Sequence, residues 1–424
     1  MNEIKKIKEN PQFYKDNFAK RGGNFNIDKM LNLYDEMQTL KKIQEALQMK
    51  KNNGAKEFEN ARKLGDKNLN MLQEILRQNT EKIADITAKY NEIVIEFNKI
   101  FIALPNVLDD EVQVGDKEQN VVIKEWGKKT IWNKTMLDHY DVCEKLNLVD
   151  YKRGAKISGR GFTLYKDVGA KLEWALLNYM VEMQHGFGHI FLYTPTVMKK
   201  ECGFNAGQYP NKIDAAWGFG EDAALATHIL IPTAETIICN MHIGETLKAE
   251  ELPIKYFGFS NCYRKEQLAY GSKERGMIRG YEFHKVEMFQ FVKPEDNKKA
   301  LMELLEKTEK IVQGLGLHYR VVKCAAKDVS HAMSETYDVE VYVPSFGYTE
   351  VSSVSTAKDY QTMATGTKFI DKDGTAKYVY TLNASGIATS RIIPAICEQF
   401  QNADGSVSIP EVLQKYMNGI SVIK

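Results

Sequence analysis

Between residues 69 and 100 the apolar positions fall at Leu69, Leu72, Leu76, Ile83, Ile86, Tyr90, Ile93, Phe97 and Ile100, in alternating steps of three and four. Asn79 fills the one polar slot. This is the heptad seam of a helix that packs along its length on another helix. Met30, Leu33, Met37, Leu40, Gln44 and Leu47 repeat the same steps. The intervening KKNNGAKEFENARKLGDKN contains breakers and no apolar stripe. The pattern predicts two long helices joined by a polar turn, an antiparallel hairpin filling residues 1–105.

Beyond ALPNV the pattern changes. Residues 106–128 are largely acidic and polar and read as a linker. From 129 to 424 strand-like runs such as HIFLYTP, PIKYFGFSNCY, EFHKVEMFQFV, VEVYVPSFGYTEVSS and YVYTLNAS mix with helical runs such as VGAKLEWALLNYMVEMQ and IATSRIIPAICEQFQ. Several strands follow one another without an intervening helix. That favours a mainly antiparallel sheet flanked by helices, an α+β fold.

Composition narrows the class. A chain of 424 residues, 43% hydrophobic and 27% charged, is an ordinary globular protein of two or three domains. Its net charge of +1 argues against coating nucleic acid by bulk charge. Residues 1–100 carry 19 Lys or Arg against 15 Asp or Glu, a net +4, which suits a solvated helical surface or an arm that touches phosphates. The six cysteines form no C-x-x-C pair and no zinc-like spacing, as expected of reduced thiols. No signal peptide or membrane span is apparent, which places the protein in the cytoplasm or an organelle matrix.

Phosphate-loop, dinucleotide and nucleophile-elbow motifs are absent, so any phosphate must be gripped by side-chain cations. Four segments offer suitable chemistry. In NCYRKEQLAYGSKERGMIRGYEFHKVEMFQF, Arg264 and Glu266 share one strand face, and Phe283, Lys285 and Glu287 share a face of the returning strand. Arg275 and Arg279 lie in the loop between them. Guanidinium forks suit phosphates and a planar Phe suits a base. In ILIPTAETIICN, Thr233 and Glu235 are read as sharing a strand face in an apolar setting, where a carboxylate needs a partner such as a ligand ammonium. In YTEVSSVST, Glu350, Ser352 and Ser353 offer hard oxygens for Mg²⁺. In TLNASGIATSRIIPAICEQF, a strand with Asn383 and Ser385 is read as turning at Gly386 into a helix bearing Arg391. Taken singly, each segment also fits an ordinary surface hairpin or helix end.

Taken in order, they resemble seryl-tRNA synthetases of the bacterial and eukaryotic type, over nearly the whole chain. ALPNV, VGDKEQN, KEWG and KISGRGF stand where that family has them, and residues 168–195 are similar to its motif 1, which builds a dimer interface. SNCYRKE…IRGYEFHKVE resembles motif 2 and NASGIATSR motif 3. The resemblance implies a class II catalytic domain at 129–424 behind a tRNA-binding arm. It also implies a homodimer, ATP and Mg²⁺, and ligation of serine to its tRNA through seryl-adenylate. Serine tRNA is the implied partner, with selenocysteine tRNA an open second acceptor. Among residues, it implies that Thr233 and Glu235 hold the serine amine, with Ala234 between them in the serine site, and that Glu287, Asn383 and Ser385 read the serine side chain. Arg264 would bind the serine carboxylate and α-phosphate, Glu266 the adenine side, Lys265 would lie in the ATP site, and Phe283 would stack the base. Arg279 and Arg391 would bind the outer phosphates, with Arg264 and Arg391 catalytic. The segment Glu350, Val351, Ser352 and Ser353 would face ATP, with Glu350 and Ser353 holding Mg²⁺. The chain departs from the family at FNAGQYPNK (204–212) and DYQTMATGTKF (359–369), which points to altered tRNA handling. The hairpin argues against relatives that charge a carrier protein, and the retained arginines against a catalytically silent relative.

Overall fold

A computed structural model describes residues 1–65, 67–133, 135–219, 226–266 and 276–424. The chain divides into two compact units, Asn2–Leu104 and Pro105–Lys424, the latter also taking in Met1.

The first unit has two short helices, α1 (Ile4–Glu9) and α2 (Pro11–Ala19), followed by the hairpin helices α3 (Ile27–Leu64) and α4 (Leu69–Phe101). All ten seam positions of α4 are buried or half-buried, and most positions between them are exposed. Gln44 sits in the partner seam and donates to Thr87 Oγ1 across the interface (2.7 Å). Lys29–Glu96 and Lys89–Glu36 tie the two flanks at 2.5 and 3.4 Å. The expected polar turn at 50–68 is a correction. The helix α3 runs on to Leu64, and its stripe continues at Lys51, Gly54, Phe58 and Ala61. Gly54 does not break it, because the absent side chain faces Leu76, whose Cδ2 would lie 3.2 Å from a Cβ there. The helix stops at Gly65, which adopts φ 66° and sends its N–H back to the last turn.

In the second unit eight strands form one sheet. They are β1 (Val121–Trp126), β2 (Ile190–Tyr193), β3 (Ile254–Tyr263), β4 (Glu282–Val292), β5 (Tyr319–Lys323), β6 (Glu335–Val343), β7 (Gly347–Lys358) and β8 (Tyr380–Ala388). The spatial order is β1-β5-β6-β7-β8-β4-β3-β2. Every pairing is antiparallel except that of β2 with β3. Helices α5 (Val168–Gly186), α7 (Asn297–Gly314) and α9 (Thr389–Gln399) pack on it, and short helices α6 (Glu235–Ile238) and α8 (Tyr360–Thr365) flank the site. The principal core joins Leu172, Leu176 and Met180 of α5, Leu301 and Leu304 of α7 and Ile392 and Ile396 of α9 to Val286, Met288, Val339 and Leu382 of the sheet.

The polar stretch 106–128 is built into this second unit. Asp109 N–H donates to Ser334 O, Ala326 N–H to Gln113 O, and β1 forms the edge of the large sheet. Polarity alone suggested a linker because β1 is exposed on both faces. Among the described residues, no helix is long and apolar enough to cross a membrane.

Candidate active site

The site lies on the middle strands β7, β8, β4 and β3. Alternation along β4 puts Phe283, Lys285 and Glu287 on one face, and the register sets Ser385 of β8 directly opposite Glu287. A register shift follows between Ser385 and Ala388. Gly386 sits inside the strand, whereas the sequence suggested a turn there. A Cβ at this position would lie 2.2 Å from Val286 O and 1.8 Å from Gln184 Nε2, so only glycine allows α5, β4 and β8 to meet there. Helix α9 follows β8 without a loop and carries Arg391 in its first turn.

One cavity is lined by Arg264, Glu266, Arg279, Phe283, Lys285, Glu350, Val351, Ser385 and Arg391, among others. The Arg264 guanidinium lies 5.2 Å from the Phe283 ring centre, and its Nε donates to Pro232 O (3.3 Å). Arg391 Nη1 donates to Glu350 O (2.6 Å) and lies 3.8 Å from the Glu350 carboxylate. Arg275 falls outside the described residues.

Beside the cavity is a buried polar cluster. Glu287 is fully buried and Glu235 is 5% exposed. Thr233 Oγ1 donates to Glu287 Oε2 (3.3 Å), Ser385 Oγ to the same oxygen (3.4 Å), and Asn383 Nδ2 to Glu287 Oε1 (3.2 Å). Asn383 Nδ2 also reaches Glu235 Oε2 (3.4 Å). Lys285 forms a tight ion pair with Glu287 and donates to Ser385 Oγ (3.1 Å). Burial, and then the nearby charge of Glu287, pushes the Glu235 carboxyl up to about 7. An acid held near neutrality in a buried pocket is ready to receive a cation.

Three expectations need correction or qualification. Thr233 and Glu235 do not lie on a strand: Glu235 opens α6, with its N–H donating to Thr233 Oγ1 (3.3 Å), and only its burial matches the expected role. Lys265 does not line the cavity; its ammonium sits 5.3 Å from the Trp217 ring centre. The Ser352 and Ser353 side chains are not among the cavity-lining groups either. The Ser352 hydroxyl is spent on Ser385 O, and Ser353 Oγ lies 3.5 Å from Ser355 Oγ, after a bulge between Glu350 and Ser352. Ala234 contributes to the apolar core beneath the site.

Sequence reasoning gave no role to Lys285, Gln208 or Gln361. The two-residue period had already put Lys285 on the working face. Gln208 Nε2 lies 3.5 Å from Glu235 Oε2 and Gln361 Nε2 lies 2.9 Å from Glu235 Oε1. Residues 204–212 and 359–369 therefore both reach the Glu235 carboxylate.

Residues 1–108 match the family described as "Seryl-tRNA synthetase N-terminal domain", and residues 221–400 match "tRNA synthetase class II core domain (G, H, P, S and T)". The chain is 42% identical to serine–tRNA ligase 2 of Clostridium acetobutylicum over 98% of its own length and 99% of that protein's. It is 37% identical to the serine–tRNA ligase of Caldicellulosiruptor saccharolyticus over the full length of both. Among solved structures, it is similar to seryl-tRNA synthetase from Pyrococcus horikoshii complexed with ATP, with a TM-score of 0.86, 30% identity and coverage of 100% and 99%. The cytoplasmic serine–tRNA ligase of Naegleria fowleri in complex with AMP gives a TM-score of 0.81 at 26% identity, again covering 100% and 99%. With relatives this similar along its entire length, the chain belongs to the seryl-tRNA synthetase family of class II aminoacyl-tRNA synthetases.

Proposed function

We propose that the protein attaches serine to its tRNA in two steps at this site. A serine carboxylate oxygen attacks the α-phosphorus of ATP, the bond to the β-phosphate oxygen breaks, and pyrophosphate leaves. A terminal tRNA hydroxyl then attacks the seryl carbonyl, and AMP leaves. This scheme needs no covalent nucleophile; the site contributes position and charge.

The observation that carries the reading is the pairing of a cationic cavity with a buried acidic cluster on one sheet. Arg264 over Phe283 suits a nucleotide whose base stacks on the ring while the guanidinium takes the α-phosphate. Arg279 and Arg391 border the same space and suit the outer phosphates. Glu235 suits the serine ammonium, and Glu287 with Asn383 and Ser385 suits its hydroxyl. An analogue lacking the hydroxyl leaves buried polar atoms unpaired, costing about 1–3 kcal/mol; threonine must be refused by size. The Glu350 carboxylate is a hard oxygen donor, partly exposed beside the cavity, and suits Mg²⁺; Ser353, whose hydroxyl lies against Ser355 and outside the cavity lining, does not complete a donor set with it in this arrangement. Mg²⁺ bound there with phosphate oxygens would supply charge neutralisation.

The hairpin is the tRNA arm in this reading, and its exposed lysines suit phosphates. Trp174 of α5 (60% exposed) with Phe191 and Tyr193 of the edge strand β2 (44% and 81%) form an apolar patch that supports a homodimer. The test is ATP–pyrophosphate exchange followed by aminoacylation of total tRNA with each amino acid. Serine must far exceed alanine, threonine and glycine; equal exchange would refute the specificity. Sequencing the charged tRNA tells whether selenocysteine tRNA is also an acceptor.

A further inference from the structure

We infer that Gln361 is a positioning residue for serine recognition: it fixes the Glu235 carboxylate with a neutral donor so that the ammonium of serine supplies the counter-charge. This rests on the seryl transfer proposed above. Gln361 is 1% exposed and lies in the first turn of α8. Its amide is fully committed. Its Oε1 accepts from Thr381 Oγ1 (2.6 Å), and its Nε2 donates to Ala206 O (3.1 Å) and to Glu235 Oε1 (2.9 Å). Flipping the amide would set its oxygen against two acceptors, so the network dictates its orientation. The other donors to Glu235, Asn383 and Gln208, stand at 3.4 and 3.5 Å on Oε2. Gln361 thus holds one oxygen firmly and leaves the other only weakly engaged, open to a ligand.

The neutrality of this donor matters. Charged or titratable groups facing Glu235 among the described residues are Glu287 and Lys285 from β4, Lys212 from the 204–212 segment and Cys239 next to α6. Lys285 is engaged by Glu287. A lysine or arginine in place of Gln361 would neutralise Glu235 and repel the substrate amine; an apolar residue would leave Glu235 without its close donor and favour its protonated form, which cannot pair with an ammonium. The segments around Ala206 and Gln361 are coupled through this one amide to the amine seat.

The experiment is serine- and ATP-dependent pyrophosphate exchange across pH in the full chain with Gln361→Met, Thr381→Val and Thr381→Ser. For Q361M the serine KM should rise by about tenfold or more, with kcat and the ATP KM changing little. The acid limb of kcat/KM for serine should move up by about one pH unit. T381V should show a smaller change of the same kind, and T381S should restore wild-type behaviour. An unmoved acid limb in both Q361M and T381V, or equal rises in the KM for serine and for ATP, would overturn the inference. Should Q361M not fold, T381V against T381S decides it alone. Absence of serine-dependent exchange in the unaltered protein would instead refute the proposed function.

Discussion

Glu235 should make the unliganded protein less stable at alkaline pH than it is in mild acid. Its folded value of about 7 lies above its ordinary 4.5. The folded state therefore keeps a proton that the unfolded chain releases, and stability falls as pH rises from the unfolded value to the folded one. Integrated between pH 5 and pH 8, a gap of this size corresponds to about 2.5 kcal/mol. Glu235→Gln removes that term, so the variant should gain about 2–3 kcal/mol on the wild type between pH 5 and pH 8. Lost acceptance from Asn383 or Gln208 offsets part of the gain by about 1 kcal/mol at every pH, and so leaves the pH difference intact. The assay is urea unfolding followed by tryptophan fluorescence. All four tryptophans, Trp126, Trp132, Trp174 and Trp217, lie outside the hairpin, so the signal reports on the second unit alone. Serine should raise wild-type stability at pH 8 and leave the variant unmoved. A wild-type-minus-variant difference that stays constant within about 0.5 kcal/mol across this range would refute the reasoning, because Glu235 would then titrate as an ordinary carboxylate.

Arg391→Lys keeps the charge but loses the fork and should raise the ATP KM about tenfold or more while leaving the serine KM nearly unchanged; steady-state exchange kinetics check this. Deleting most of the hairpin should spare pyrophosphate exchange and abolish aminoacylation, and in the intact protein tRNA binding should weaken steeply with salt; equal loss of both activities would make the arm structural. Gly54→Ala should raise the thermal midpoint of the hairpin, since alanine gains about 1 kcal/mol of helix propensity and the Leu76 methyl can shift from its 3.2 Å contact; Gly54→Ile should lower it, both read by far-UV circular dichroism. Tyr193→Asp together with Trp174→Asp should shift sedimentation toward the monomer if the exposed patch is a subunit interface.

The parts of the fold legible in the sequence are those whose physics is local. The α4 seam repeats at every heptad, and each seam position is shielded in the structure. The working face of β4 follows from a period of two. The end of α3 was misplaced because Gly54 breaks a helix by propensity but fits a neighbour 22 residues further along the chain, a tertiary gain that propensity cannot register. Thr233 and Glu235 read as strand-like because of the flanking Ile and Ala, whereas in the structure Glu235 opens the short helix α6 and donates its N–H to Thr233 Oγ1, a contact the apolar pattern does not encode. Gln361 was invisible for a deeper reason: its role exists only where Ala206, Glu235 and Thr381, spread over 175 residues of chain, converge.

Because α9 continues β8 without an intervening loop, Asn383, Ser385 and Arg391 are carried on one continuous run of chain. Gly386 holds that run close against α5 and β4. Under the proposed function, a displacement of β8 that widens the seat proposed for serine should therefore move Arg391 as well. With Arg391 on the outer phosphates as proposed, enlarging this pocket for a bulkier amino acid should weaken nucleotide affinity along with altering selectivity unless both ends are redesigned together.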